Sequence, residues 1–239
     1  MIAIDLFSCI GCHVIGFQRA GIETIALCEK RPARRAILAK NFPEIDIYEA
    51  VEWFPSIPAD IIIGGPPCQR TSVASAIHGY RSGASLWPWM LSAGINACAE
   101  WFVVEQPPGN SSWEAEVSAD LSGIGYHVAR FEFGAHDIGA PYIRRRVFLV
   151  ACTSLQRLAL TRAALPSAID TVKRAADARG SWSADQLGTL RVDAQSAGEM
   201  DRDSRANRVR TERIEALGDS NPPEMAEVIG RAIMASVSA

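Results

Sequence analysis

Cys68 follows Gly64-Gly65-Pro66-Pro67, which closes the run Asp60-Ile61-Ile62-Ile63. An acid and three isoleucines fit a short buried strand. Gly-Gly-Pro-Pro forbids both a helix and continued strand pairing. The chain must turn there and present the thiol at the strand's carboxyl end, the edge where open α/β sheets bind ligands. A thiol is intrinsically nucleophilic even at a few per cent thiolate, so Cys68 is the candidate nucleophile. The competing reading is a buried structural cysteine. Trp101-Phe102-Val103-Val104-Glu105-Gln106-Pro107-Pro108 repeats the design with an acid at the strand end. If the two strands are parallel neighbours, Cys68 and Glu105 share one edge. A carboxylate beside a thiol in a desolvated site is costly unless the pair serves chemistry. Tyr142-Ile143-Arg144-Arg145-Arg146 adds a basic strand entrance. On an extended segment Arg144 and Arg146 share a face, and such a pair suits a phosphate or a base carbonyl.

Alternating strand and helix patterns must hold these groups. Residues 1–7 predict a strand, Ser8 to Gly11 a tight loop, Val14 to Ala20 a helix, and Thr24 to Cys28 a second strand closed by Glu29. Pro32 to Asn41 predicts a helix, with proline at its first position and Pro43 beyond its end. Strand, small-residue loop, helix, strand and terminal acid make a mononucleotide-binding half-unit, with Glu29 placed for ribose hydroxyls. Arg70 to Ser85 predicts a loop able to serve as a lid. Leu86 to Glu100 predicts a helix carrying buried tryptophans. Val117 to Leu121 starts another, Tyr126 to Phe133 predicts a strand, and Tyr142 to Ala151 the strand with the basic entrance. Thr161 to Arg179 is alanine-rich and helix-compatible, whereas Ser181 to Asn207 is polar with little periodicity. Arg202, Arg205, Arg208, Arg210 and Arg213 form a basic cluster diluted by Asp201, Asp203 and Glu212, either a solvated face or a backbone contact for nucleic acid. An amphipathic helix, Glu224 to Ser236, ends the chain.

Cys9-Ile10-Gly11-Cys12-His13 matches haem-attachment, zinc half-site and redox patterns. A zinc site needs a second ligand pair, and none follows at suitable spacing. No metal is expected. Haem attachment belongs to exported proteins, and Met1-Ile2-Ala3-Ile4-Asp5 has no basic region leading an apolar core, so a cytoplasmic location is expected. The 239 residues, 48% hydrophobic and 21% charged, are those of an ordinary globular chain, and no apolar run reaches the ~18 residues of a membrane helix. A net charge of −3 gives no global attraction to nucleic acid, so any such contact must be local. The six cysteines are expected to be mostly thiols in that compartment.

In this order, the stretches resemble the DNA (cytosine-5) methyltransferase family over residues 3–151 and 213–235. Asp5 to Phe17 is similar to the family's S-adenosylmethionine loop, Glu29 to its ribose-binding acid, and Gly65-Pro66-Pro67-Cys68-Gln69 to its nucleophile motif. Glu105-Gln106-Pro107 stands where the family has Glu-Asn-Val, and Tyr142-x-Arg144-x-Arg146 where it has Gln-x-Arg-x-Arg. Leu217 to Glu227 resembles its last motif. Cys9 and Cys12 replace two glycines of the cofactor loop, adding side chains where the backbone approaches the ligand. Gln106, Tyr142 and Asp219 alter usual amides or their surroundings. The acid at the adenine edge has Glu49 or Glu52 as its nearest candidate.

The resemblance implies an α/β, Rossmann-like methyltransferase fold: catalytic and cofactor-binding residues 1–151, a small target-recognition region 152–212, and a segment 213–239 returning to the catalytic unit. It implies S-adenosylmethionine held by Asp5, Phe7, Ser8, Cys9, Gly11, Glu29, Lys30, Pro67, Asp219 and Ser220. Cys68 would add to C6 of a cytosine flipped from duplex DNA, Glu105 would hold N3 and the exocyclic amine, and Arg144 and Arg146 would stabilise charge on the adduct. DNA contacts would fall to Gln69, Arg70, Ser72, Tyr142, Arg205 and Arg208. So small a reader implies a recognition sequence of about two to four base pairs. A monomer is expected, and its compactness fits a phage or mobile element. A tRNA cytosine-5 methyltransferase, a catalytically dead nucleic-acid-binding relative, and a thiol-redox protein using Cys9 and Cys12 are the alternatives.

Overall fold

Seven strands form one sheet in the order β3-β2-β1-β4-β5-β7-β6. The computed structural model describes residues 1–67, 85–182 and 218–238. Strands β1 (Ile2–Leu6), β2 (Glu23–Cys28), β3 (Asp46–Tyr48), β4 (Ile61–Gly64) and β5 (Trp101–Gln106) run parallel. β7 (Arg145–Cys152) lies antiparallel between β5 and β6 (His127–Gly134). The helices are α1 (Cys12–Arg19), α2 (Pro32–Asn41), α3 (Trp87–Asn96), α4 (Ser111–Gly123), α5 (Leu155–Arg179) and α6 (Pro223–Val237). This is the expected α/β, Rossmann-like architecture.

Alternation along the strands divides the core in two. Ile61, Ile63, Trp101 and Val103 point to one face, where Phe17 of α1, Leu158 and Val172 of α5, and Ile229 and Ile233 of α6 cover them. Ile62, Phe102 and Val104 point to the other, against Trp87 and Met90 of α3 and Trp113 and Leu121 of α4. Strands covered on both faces read as continuous apolar runs, which is why Ile61–Ile63 and Trp101–Val104 carry no polar residue. Of the tryptophans in α3, Trp87 is fully buried whereas Trp89 is half exposed. Helix α5 contributes to the same core as the central strands through Leu158, Ala168 and Val172. The remainder of the stretch read as target-recognition region, 183–212, lies outside the described residues.

Strand order reverses between β1 and β4, and a crevice opens outside their carboxyl ends. Because β7 is antiparallel to β5, its first residues reach that same edge, where Gln106 lies opposite Val147 and Glu105 opposite Phe148. Topology therefore delivers an arginine-bearing strand start beside the acid-bearing end of β5.

Candidate active site

Between β1 and α1 the chain turns through positive φ at Phe7 (63°), Cys9 (52°) and Gly11 (88°). A cysteine thus occupies a left-handed position that glycine takes at no steric cost. In this conformation the Ser8 amide donates to the Cys28 carbonyl at 3.0 Å, at the end of β2. Glu29, buried directly after β2, has both carboxylate oxygens fixed, Oε2 accepting from the Cys9 amide at 2.9 Å and Oε1 from the Arg31 amide at 2.8 Å. Ser8 staples the two strand ends. Its hydroxyl donates to the Asp5 carbonyl at 2.6 Å and accepts from the Cys28 amide at 3.2 Å.

A cleft opens beside this loop, lined by Cys9, Cys12, His13, Gly65, Glu105 and Asp219 among others, with Phe7, Ser8, Ser220 and Asn221 completing its wall. Burial pushes the Cys9 thiol up to about 12 and the Cys12 thiol up to about 11, so both are neutral near pH 7. Among the described residues no metal-ligating cluster is present.

Glu105 sits at the end of β5, nine-tenths buried, with Arg146 Nε 2.7 Å from its Oε1. Its Oε2 packs against Gly65 so closely that a β-carbon there would stand 2.8 Å from that oxygen and push the carboxyl aside. Gln106 donates through Nε2 to the Pro66 carbonyl at 2.6 Å and ties β5 to the turn that leads to Cys68. A carboxyl held against a guanidinium, at the mouth of a cleft and one residue from that turn, can grip a polar heterocycle and stabilise negative charge developing on it.

Arg144 departs from the sequence expectation of one shared face with Arg146. The strand begins only at Arg145, and Arg144 precedes it at φ 30°. Its guanidinium turns to the segment at 218–221, donating to the Gly218 carbonyl at 2.6 Å, to the Ser220 carbonyl, and to Asn221 Oδ1 at 3.4 Å. Arg145 points outward to Glu132, as alternation requires. Asp219 pairs with Arg34 of α2 at 2.6 Å, which neutralises the acid standing in place of the family's usual amide.

Among the expected cofactor residues, Phe7, Ser8, Cys9, Asp219 and Ser220 line the cleft. Asp5 lies fully buried behind it, Gly11 caps α1, and Glu29 lies behind the loop. Lys30 is exposed, and its carbonyl accepts from Arg35. Pro67 is exposed at the limit of the described residues. Tyr142 packs edge-on against Trp182, with ring centroids 6.0 Å apart. Cys68, Gln69, Arg70, Ser72, Arg205 and Arg208 lie outside the described residues. Glu49 pairs with Arg35 at 3.2 Å on the surface.

Sequence reasoning missed His13 and Asn221 as cleft residues. His13 Nδ1 lies 3.0 Å from Asp5 Oδ1. Burial alone would lower its pKa, but the charge and hydrogen bond of Asp5, with Glu105 nearby, raise it above the ordinary imidazole value. The available signal was an acid in β1 followed by a histidine in the first turn of the next helix.

Residues 1–179 match the family model described as C-5 cytosine-specific DNA methylase. The Type II methyltransferase M2.BsuMI of Bacillus subtilis (strain 168) is 30% identical over 162 residues, 63% of this chain and 42% of that protein. M.AquIA of Picosynechococcus sp. is 30% identical over 174 residues, 62% of this chain and 70% of that one. The chain therefore spans well under two thirds of the first relative. A solved structure of Spodoptera frugiperda DNMT2 superposes with TM-score 0.53 at 18% identity, covering 64% of this chain and 50% of the other, a likeness of fold alone.

Proposed function

The chain belongs to the C-5 cytosine-specific DNA methylase family, and from that premise we propose that it methylates C5 of cytosine in duplex DNA through a covalent Cys68–C6 adduct. The observation that carries this reading is the Glu105–Arg146 pair at the cleft mouth, joined through Gln106 to the turn that precedes Cys68. S-adenosylmethionine is the cofactor expected of the family, and it supplies an electrophilic methyl on a sulfonium. The left-handed loop at Phe7–Gly11 suits it, because the loop keeps a glycine-like path despite Cys9, and Glu29 anchors that loop by accepting from the Cys9 amide.

In this mechanism Cys68 adds as thiolate to C6, which makes C5 nucleophilic. Glu105, with a proton shared to the base, hydrogen-bonds N3 and the exocyclic amine and draws off the density that attack pushes into the ring. Arg146 orients Glu105 and stabilises the anionic adduct. Arg144 acts one step away by holding the 218–221 segment against the cofactor loop. Reaching C6 inside a duplex requires flipping the base, at a cost of a few kcal/mol. With α5 contributing to the core, residues 183–212 are left as the proposed target reader for a monomeric enzyme, and a strict long recognition site in a methylome would overturn the short-site reading.

The test is transfer of labelled methyl from S-adenosylmethionine to unmodified duplex DNA, with Cys68→Ala beside the wild type. Label at cytosine C5 with the wild type alone is expected. Label on tRNA in place of DNA, or label on neither with cofactor binding intact, would overturn the proposal.

A further inference from the structure

Methylation at C5 leaves a proton to be removed, and on the reading just proposed the cleft must supply its acceptor. Most of its lining groups are unsuited. Glu105 is paired with Arg146 and Asp219 with Arg34. The thiols of Cys9 and Cys12 are held protonated by burial. Ser8, Ser220 and Asn221 are not bases. His13 remains among the described residues lining the cleft.

We propose that His13, oriented by Asp5, is the base that takes the C5 proton. Asp5 is fully buried at the end of β1, and its Oδ1 accepts from His13 Nδ1. That bond fixes the tautomer and leaves Nε2 as the basic nitrogen. No hydrogen bond joins Nε2 to another described residue, and the ring is about one-tenth exposed on the cleft wall. The second oxygen of Asp5 is buried without a hydrogen-bond partner among the described residues. The carboxylate is therefore compensated chiefly by the imidazole. Its charge is best met when the ring is protonated, which is the state that proton abstraction creates. A buried acid that orients a histidine and stabilises its imidazolium is the arrangement that general-base catalysis uses.

In the step itself, Nε2 accepts H⁺ from C5, and the C5–H electron pair becomes the C5–C6 double bond. The S–C6 bond breaks, its pair leaving with Cys68 as thiolate. The imidazolium then returns its proton to solvent. Oxidation states are unchanged, and no co-reactant is needed.

The test uses DNA carrying tritium at cytosine C5 and methyl-labelled S-adenosylmethionine, with wild type, His13→Gln and, should that variant misfold, His13→Phe. General-base removal contributes about 10²–10⁴-fold. The expected result is that the variant still delivers methyl to DNA in a single turnover while tritium release slows about 100-fold or more. A denaturation-resistant protein–DNA complex then accumulates, and S-adenosylhomocysteine affinity is unchanged. Tritium release in step with methyl transfer at near wild-type rate would overturn the assignment. So would parallel loss of both with weakened cofactor binding, which marks a merely structural histidine. If the wild type transfers methyl while the variant behaves like it, only the His13 inference fails. If the wild type transfers none, the methyltransferase reading fails with it.

Discussion

Replacing Glu227 tests whether the site's scaffold is fastened by one buried charge cluster. Glu227 of α6 is fully buried, with Arg231 Nη2 at 2.9 Å, Arg179 Nη2 at 3.1 Å and Arg19 Nη1 at 3.8 Å. The carboxylate thereby joins α6 to α5 and to the end of α1, the helix that follows the cofactor loop. Glu224 assists from the preceding turn, 2.9 Å from Arg19. Removing one partner of a buried ion pair costs about 3–5 kcal/mol, because the others are left uncompensated. Each arginine is about one-third exposed, so water relieves part of that cost. Glu227→Gln, which keeps the shape and removes the charge, is therefore expected to cost about 2–3 kcal/mol. With a urea m-value of about 2.5 kcal/mol/M, the midpoint falls by roughly 1 M at unchanged slope. The exposed Glu116→Gln serves as control, with a change within about 0.5 kcal/mol. A midpoint shift in Glu227→Gln no larger than that of the control would refute the reasoning. A cycle with Arg231→Met should return a coupling of about 1 kcal/mol or more.

Gly65→Ala places a β-carbon 2.8 Å from Glu105 Oε2 and should displace that carboxyl from Arg146. Turnover is expected to fall at least about tenfold with the melting temperature nearly unchanged, and equal turnover would exclude a tight Gly65–Glu105 contact. Cys9→Val forces a β-branched residue to φ 52° and should cost about 1–3 kcal/mol in urea titration, whereas Cys9→Gly should not raise the S-adenosylhomocysteine dissociation constant. The raised pKa of His13 adds stability that is complete below the unfolded imidazole value and is lost as pH rises through the folded one. The stability gap between wild type and His13→Gln is accordingly expected to be widest near pH 5.5 and to narrow by pH 9. A gap that widens with pH would reverse the assigned sign.

Much of the site was legible from the sequence because its parts are local. Ile61–Ile63 followed by Gly-Gly-Pro-Pro and Trp101–Val104 followed by Glu105 are strand-then-turn patterns, and side-chain period and turn chemistry mark where each strand ends, while the parallel pairing of β4 with β5 brings the two ends to one edge. Pro32–Asn41 is bounded by its own proline and needs no tertiary partner to be recognised. Family membership, too, follows from ordered motifs. Tertiary structure decided the rest. Insertion of β7 antiparallel between β5 and β6 set Arg146 against Glu105, and strand order is a long-range pairing that periodicity does not encode. The φ of 30° at Arg144, just before β7, turned its guanidinium to 218–221 rather than alongside Arg146. The alanine-rich α5 could be recognised as a helix, but its membership of the core depended on α6 returning from the chain's end to pack with it. Asp5 and His13 meet only because the loop between them takes left-handed turns, one of them at a cysteine. Local sequence specifies which groups are available, and the strand order and helix returns, stabilised by burial of both sheet faces, decide which of them touch.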